Sequence, residues 1–262
     1  MPTMPDHVTR FWRALDACFG HVEPTWWGAV VTDARYPAIW DANYARIDAA
    51  SEDLRSSDIE EGLLPALAEV GTDVMHVVSF DPEGTGPLLA ELSTRGHRLT
   101  FDLVMELDGP PEPRVEGVTV EELEPTDELW DRVASSIALF GVGGGDELRQ
   151  LRDIERDVMA PAGKRWFGVR DGEGALLSVG ALLVLEDVGY VDNVATFPAS
   201  RGRGLASAVT ATMAHEARAA GVPHVILLAD PEAAHTVRLY ERLAFRGVGK
   251  LAATRGPVPA PG

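Results

Sequence analysis

The chain is poor in cysteine, in net positive charge and in long apolar runs. Cys18 is the single cysteine among 262 residues, which excludes an intrachain disulfide and a multi-cysteine zinc site and fits a reducing cytoplasm. Lys and Arg total 23 against 41 Asp and Glu, a formal charge of −18. Such a surface repels nucleic acid and anionic membrane, whose phosphates need a basic footprint, and it attracts cations. The longest apolar stretch, Ala175 to Leu185, is interrupted by Ser178 and falls short of the roughly 20 residues that span a bilayer. From Met1 to Gly20 the chain carries Asp6, Arg10, Arg13 and Asp16 in an amphipathic pattern, unlike the apolar core of a signal peptide. His7, His21, His76, His97, His215, His224 and His235 show no ligand spacing with carboxylates or cysteine, so no metal site is expected.

What the chain does have is glycine and arginine concentrated in one turn. Gly189 to Phe197 is rich in aromatic and β-branched residues and stops at Pro198, the profile of a strand entering a turn. Beyond the turn Leu205, Val209 and Met213 recur at intervals of four in an alanine-rich setting up to Gly221, which predicts a helix with a glycine stop. Between them lies Arg201-Gly202-Arg203-Gly204-Leu205-Ala206. Glycines let successive amides converge, the helix start adds partial positive charge and the arginines add full charge, so the segment is a phosphate-cradle candidate. Neither the P-loop spacing nor the dinucleotide-fold glycine spacing is present.

The pattern Arg-x-x-Gly-x-Ala, spelled by Arg201, Gly204 and Ala206, resembles the acyl-CoA pyrophosphate signature of the GNAT superfamily of N-acyltransferases. A second segment carries the same resemblance. His224 to Ala229 is a short apolar run bounded by turn signals, a buried strand by this pattern. Thr236, Leu239, Tyr240 and Leu243 then share one helical face, and Arg238 to Phe245 is similar to the superfamily's Leu-Tyr-Glu-x-Leu-Gly-Phe block. Ala233 stands where the family often has a cofactor-contacting asparagine, and Ala244 where it has glycine.

The resemblance implies an α/β (α+β) fold: a GNAT-like mixed, mostly antiparallel central sheet flanked by helices, with a partial GNAT-like N-terminal domain. It implies acetyl-CoA as acyl-donor substrate and a pyrophosphate held by Arg201, Gly202, Arg203, Gly204, Leu205 and Ala206. The backbone of Val194, Ala195 and Thr196 would pair with the pantetheine arm and polarise the thioester carbonyl. Tyr240 would protonate the departing thiolate. For the base, extended geometry puts Tyr190, Asp192, Val194 and Thr196 on one face, which makes Asp192 the first candidate. Glu186 is the second, with a solvated turn carboxylate as its plainer reading, and water-mediated deprotonation is the third.

Proline and charge between Asp108 and Gly117 mark a linker. It separates residues 1–107, read as a degenerate partial GNAT-like domain, from residues 118–255, read as a complete acyltransferase domain, with 256–262 as a disordered tail. Within the second part the expected order is a strand at Val118 to Leu123, helices opening at Asp127 and Asp146, and strands Arg165 to Arg170 and Ala175 to Leu185 joined by the Asp171 to Gly174 hairpin. The strand-turn-helix of the cradle follows. The first part repeats the end of the second: Val74 to Phe80 then Asp81-Pro82-Glu83, against His224 to Ala229 then Asp230-Pro231-Glu232, each followed by a helix, shorter in the first copy, and a strand. At the position of Tyr240 the first copy has Leu89, and no glycine cradle precedes it. Trp26, Trp27, Tyr36, Trp40 and Tyr44 read either as core packing or as the wall of an acceptor pocket, with Asn43 and Asp48 as nearby polar contacts.

The function expected is a cytoplasmic N-acetyltransferase that moves an acetyl group from acetyl-CoA to a primary amine of a small molecule. A catalytically silent acyl-CoA-binding or scaffolding protein with the same fold is the alternative.

Overall fold

The computed structural model describes residues 4–48, 53–111, 116–141 and 144–259. In chain order α1 (Asp6–Asp16), β1 (His21–Pro24), β2 (Gly28–Thr32), β3 (Tyr44–Ile47), α2 (Ser56–Val70), β4 (Val74–Ser79), α3 (Gly86–Thr94) and β5 (Arg98–Leu107) come first. Then follow β6 (Glu121–Leu123), α4 (Asp127–Ala138), α5 (Asp146–Ile154), β7 (Arg165–Arg170), β8 (Leu176–Leu185), β9 (Val188–Thr196), α6 (Leu205–Ala219), β10 (His224–Ala229), α7 (Ala234–Arg242) and β11 (Phe245–Pro257). The chain forms two compact units, Met1–Leu103 with Val248–Gly262, and Val104–Gly247.

The first unit orders its strands β1-β2-β3-β4-β11. All neighbours are antiparallel except β3 and β4, which run parallel because α2 carries the chain between them. Ile59, Leu63 and Leu67 make the buried stripe of α2 and pack with Trp27, Ile47 and Met75. Trp27, Tyr36 and Tyr44 are buried, which favours core packing for the aromatic group, whereas Trp26 is 63% exposed. Asn43 is fully buried, accepts from the Asp33 amide and donates to the Tyr36 and Ile39 carbonyls. Its polar capacity is spent inside the unit.

The second unit orders its strands β10-β9-β8-β7-β6. The sheet is antiparallel throughout except for the β9–β10 pair, parallel because α6 carries that connection. Thr126 caps α4 by accepting from the Leu129 amide at 3.3 Å. α6 lies close on β8 at Gly180, where a Cβ would come within 2.8 Å of both Val209 Cγ1 and Met213 Cε.

The two units share an order of elements. Antiparallel β2–β3, the fifteen-residue α2, parallel β4 and the nine-residue α3 correspond to β8–β9, the fifteen-residue α6, β10 and the nine-residue α7. The expected shortening of the first copy's helix is not found, since both helices have nine residues. α2 begins from Arg55 in an extended conformation, without the left-handed glycine that starts α6.

Three boundaries differ from expectation. The last strand groups with the first unit from Val248 onward, where β11 pairs with β4 from Ala252–Ser79 to Pro257–Val74. Residues 256 and 257 therefore belong to a strand and not to a tail, and the Val258 amide donates to the Asp73 carbonyl at 2.8 Å. The remainder of the tail, residues 260–262, and residues 112–115 of the linker lie outside the described residues. The helix expected over Asp146 to Met159 is α only to Ile154 and continues as one π turn, Glu155–Met159.

Candidate active site

β9 and β10 stay in register from Val188–His224 to Val191–Leu227, after which β9 runs on to Thr196 and β10 to Ala229. Residues 192–196 thus keep β8 on one side, and on the other their backbone is free of the β10 ladder among the described residues. That edge suits an extended guest that adds as a strand. Val194 is half-buried along it, while Ala195 is buried and its carbonyl accepts the Ser178 hydroxyl at 2.9 Å.

At the end of this edge a short 3-10 turn, Pro198–Ser200, leads into Arg201–Gly204, all exposed. Gly202 has φ 76° and Gly204, the N-cap of α6, has φ 75°. A Cβ resists this left-handed geometry, which accounts for the two glycines. The first-turn amides of α6 are left without intrahelical partners and face this turn with the positive end of the helix dipole. Arg201 Nε donates to the Thr196 carbonyl at 3.1 Å, which joins the cradle to the strand edge. Leu205 is buried and anchors the helix start, and Ala206 is half-buried beside it. Converging amides, absent Cβ atoms and two arginines suit a diphosphate.

A β-bulge interrupts the β8–β9 ladder. Ala181 faces Asp192 and Val179 faces Ala195, so Asn193 and Val194 together oppose Gly180. The bulge corrects the expected sharing of a face: by register Tyr190 and Asp192 stand on the face of Ala195, and Val194 and Thr196 do not. Asn193 takes φ 52°, a left-handed conformation outside glycine. Its amide donates to Asp192 Oδ1 at 2.7 Å, and its Nδ2 to Glu155 Oε1 at 3.1 Å and Asp192 Oδ2 at 3.2 Å. Lys164 Nζ donates to both carboxylates, 2.8 Å to Glu155 Oε1 and 2.7 Å to Asp192 Oδ2, and lies 5.5 Å from the Trp166 ring centroid. Burial pushes the Glu155 carboxyl up, against the pull of Lys164; the two carboxylates raise Lys164 in spite of its own burial. Asp192 keeps about a quarter of its side chain exposed, 27%.

Tyr240 lies in α7, 8% exposed, with its ring edge-on to Phe245 at 6.3 Å. Burial first, and the Asp192 charge second, push its phenol up to about 12. Asp192 and Tyr240 are thus in one electrostatic environment. Glu186 sits exposed with φ 52° in the turn between β8 and β9, which matches its reading as a turn carboxylate. Ala233 forms the N-cap of α7 and makes no side-chain cap bond. Glu155, Lys164 and Asn193 escaped the sequence reading: a π turn has no residue signature, and their contact spans up to 38 positions. The only available signal was an asparagine in mid-strand, a residue type tolerant of left-handed backbone.

The strand edge, the glycine turn at a helix start and the acid pair beside them belong to a mixed α/β domain whose geometry suits an extended, phosphorylated ligand. Residues 130–245 match the model of the acetyltransferase (GNAT) family. No functionally curated protein matches the chain. Among solved structures it is similar to a functionally unknown conserved protein from Staphylococcus epidermidis, at 10% identity and TM-score 0.68, covering 87% of this chain and 89% of that one. A GCN5-related N-acetyltransferase from Kribbella flavida has 19% identity, TM-score 0.54 and 82% coverage of each chain. A tandem GNAT protein from the clavulanic acid biosynthesis pathway has 12% identity and TM-score 0.55, covering 84% and 77%. At such identities the likeness speaks for fold alone, and that fold fits a tandem GNAT-like chain.

Proposed function

We propose that the second unit transfers an acetyl group from acetyl-CoA to a primary amine of a small molecule, in the cytoplasm. The observation that carries this reading is the Arg201–Gly204 turn joined through the Thr196 carbonyl to the open edge of β9, which begins at Asp192. The cradle takes the diphosphate of the donor, with Arg201 and Arg203 offsetting charge that an acidic protein otherwise repels. The β9 backbone at Val194 to Thr196 pairs with the pantetheine arm and leaves an amide to stabilise the oxyanion.

Asp192 accepts the proton that an ammonium must lose before its nitrogen attacks the thioester carbon. The C–N bond forms, the C–S bond breaks as Tyr240 gives its proton to the thiolate, and the second N–H proton leaves to solvent, from which the Tyr240 phenolate is reprotonated. Because its phenol is held near 12, it arrives at this step protonated. The overall charge of −18 favours a cationic acceptor.

A silent acyl-CoA-binding or scaffolding role is the second reading, favoured by Ala233 at the N-cap of α7 and by the engagement of Asp192 with Lys164. Calorimetric titration with acetyl-CoA and with CoA, followed by thiol release over a panel of primary amines, separates the two. Binding with amine-dependent thiol release supports the enzyme. Binding without release for any amine supports the silent protein, and loss of both binding signals ends both readings.

A further inference from the structure

We propose that Glu155 and Lys164 are positioning residues for acyl recognition: together they hold Asn193 in the left-handed bulge that turns the β9 backbone toward the acyl carbonyl. The inference rests on the reading of β9 as the thioester-binding strand, and it concerns two residues that take no part in the chemistry assigned above.

The bulge is where β9 stops being an ordinary strand. Two residues, Asn193 and Val194, stand against the single Gly180, and β9 parts from β10 just before them. An L-residue at φ 52° is disfavoured unless something holds it there. Here the holding groups come from three places in the sequence. Asp192 takes the Asn193 amide, Glu155 takes its Nδ2, and Lys164 locks Glu155 and Asp192 to one another. The Asn193 amide is thereby consumed, so the amide of Val194 is the next one along the strand that can serve a guest.

The way Glu155 is delivered also points to a specific task. The helix of α5 widens into a π turn at this residue, with the Ala160 amide bonded to the Glu155 carbonyl at 2.9 Å. Such widenings insert one residue and re-aim those that follow, and they are frequent at functional sites. Glu155 Oε2 is buried without a hydrogen-bond partner, and Trp166 Nε1 beside Lys164 is likewise orphaned. A buried ion pair with unsatisfied atoms is poor stabilising material, and fixing a unique local geometry is the use such pairs serve best.

The test uses the full chain, isotope-labelled for NMR and unlabelled for calorimetry. In the wild type the Cα and Cβ shifts of Asn193 report left-handed backbone, and acetyl-CoA binds more tightly than CoA. In Glu155→Ala the Asn193 shifts move to extended values and the preference for acetyl-CoA over CoA falls at least fivefold, while the CoA dissociation constant stays within twofold. In Glu155→Ala with Asn193→Gly the preference returns, since glycine takes this φ without a lock. Should Glu155→Ala fold poorly, Lys164→Met and the single Asn193→Gly variant carry the same comparison.

Unchanged left-handed shifts at Asn193 in Glu155→Ala overturn the proposal, and so does a lost preference that Asn193→Gly does not restore. If the wild type binds neither acetyl-CoA nor CoA, the donor assignment and the acyl-recognition role fall together. The Asn193 shifts in that case decide separately whether Glu155 and Lys164 lock the bulge.

Discussion

Tyr240 combines three properties that seldom coincide on a helix surface: burial, an unshared hydroxyl among the described residues, and a carboxylate close enough to raise its pKa. A phenol held near 12 is a donor at every physiological pH, and its proton is lost only as pH rises through that value. With an amine substrate the kcat for thiol release is therefore expected to stay level between about pH 8 and about pH 10, with Tyr240 imposing no alkaline fall there. Tyr240→Phe is expected to lower kcat about 10²-fold, within the usual range for a lost general acid, and to leave the acetyl-CoA dissociation constant within about twofold. Steady-state thiol release across pH, beside calorimetry, checks both. An unchanged kcat in the variant removes Tyr240 from the chemistry. At this scale Tyr240, Arg201 and Gly204 were legible because each lies inside a contiguous motif. Glu155 and Lys164 were not, since they meet Asp192 only after β7, β9 and the π turn are folded together.

At the scale of elements the close approach of α6 to β8 sets the geometry of the whole site, because the cradle is the first turn of that helix and the bulge faces the same glycine. A side chain at Gly180 meets Val209 and Met213 at 2.8 Å, too near for either to remain in place. Gly180→Val is thus expected to destabilise the second unit by about 1–3 kcal/mol, the usual cost of overpacking, seen as a fall of several degrees in thermal unfolding. It should also weaken acetyl-CoA binding, since the helix start moves with the helix. A variant with wild-type melting and binding contradicts this account. Arg201→Ala with Arg203→Ala should act differently, weakening both acetyl-CoA and CoA about tenfold or more without altering melting, because all four turn residues are exposed. The hairpin between β7 and β8 and the span of β10 were readable from turn residues and apolar runs. The register beyond the bulge was not, because one inserted residue reverses every later side chain and leaves no trace in composition.

At the scale of the molecule, the chain end belongs to the unit made by the chain start. β11 pairs along the full length of β4, its Thr254 carbonyl accepts from His76 Nδ1 at 3.1 Å, and Gly256 leaves room for the His97 ring, which a Cβ would meet at 2.6 Å. Local patterns identify a strand after α7 but not its partner, so the sequence assigned it to the nearer domain; pairing across more than 170 positions is a matter of topology. The consequence is testable by ending the chain after Gly247. That deletion strips β4 of one neighbour and bares a hydrogen-bonding edge beside buried Val77, which favours opening and strand-to-strand association. Limited proteolysis of the truncated protein is expected to cut first within residues 1–103, with a fragment covering residues 104–247 persisting longer. Preferential loss of that second fragment instead would mean that β11 stabilises the second unit, and the division of the chain would have to be redrawn.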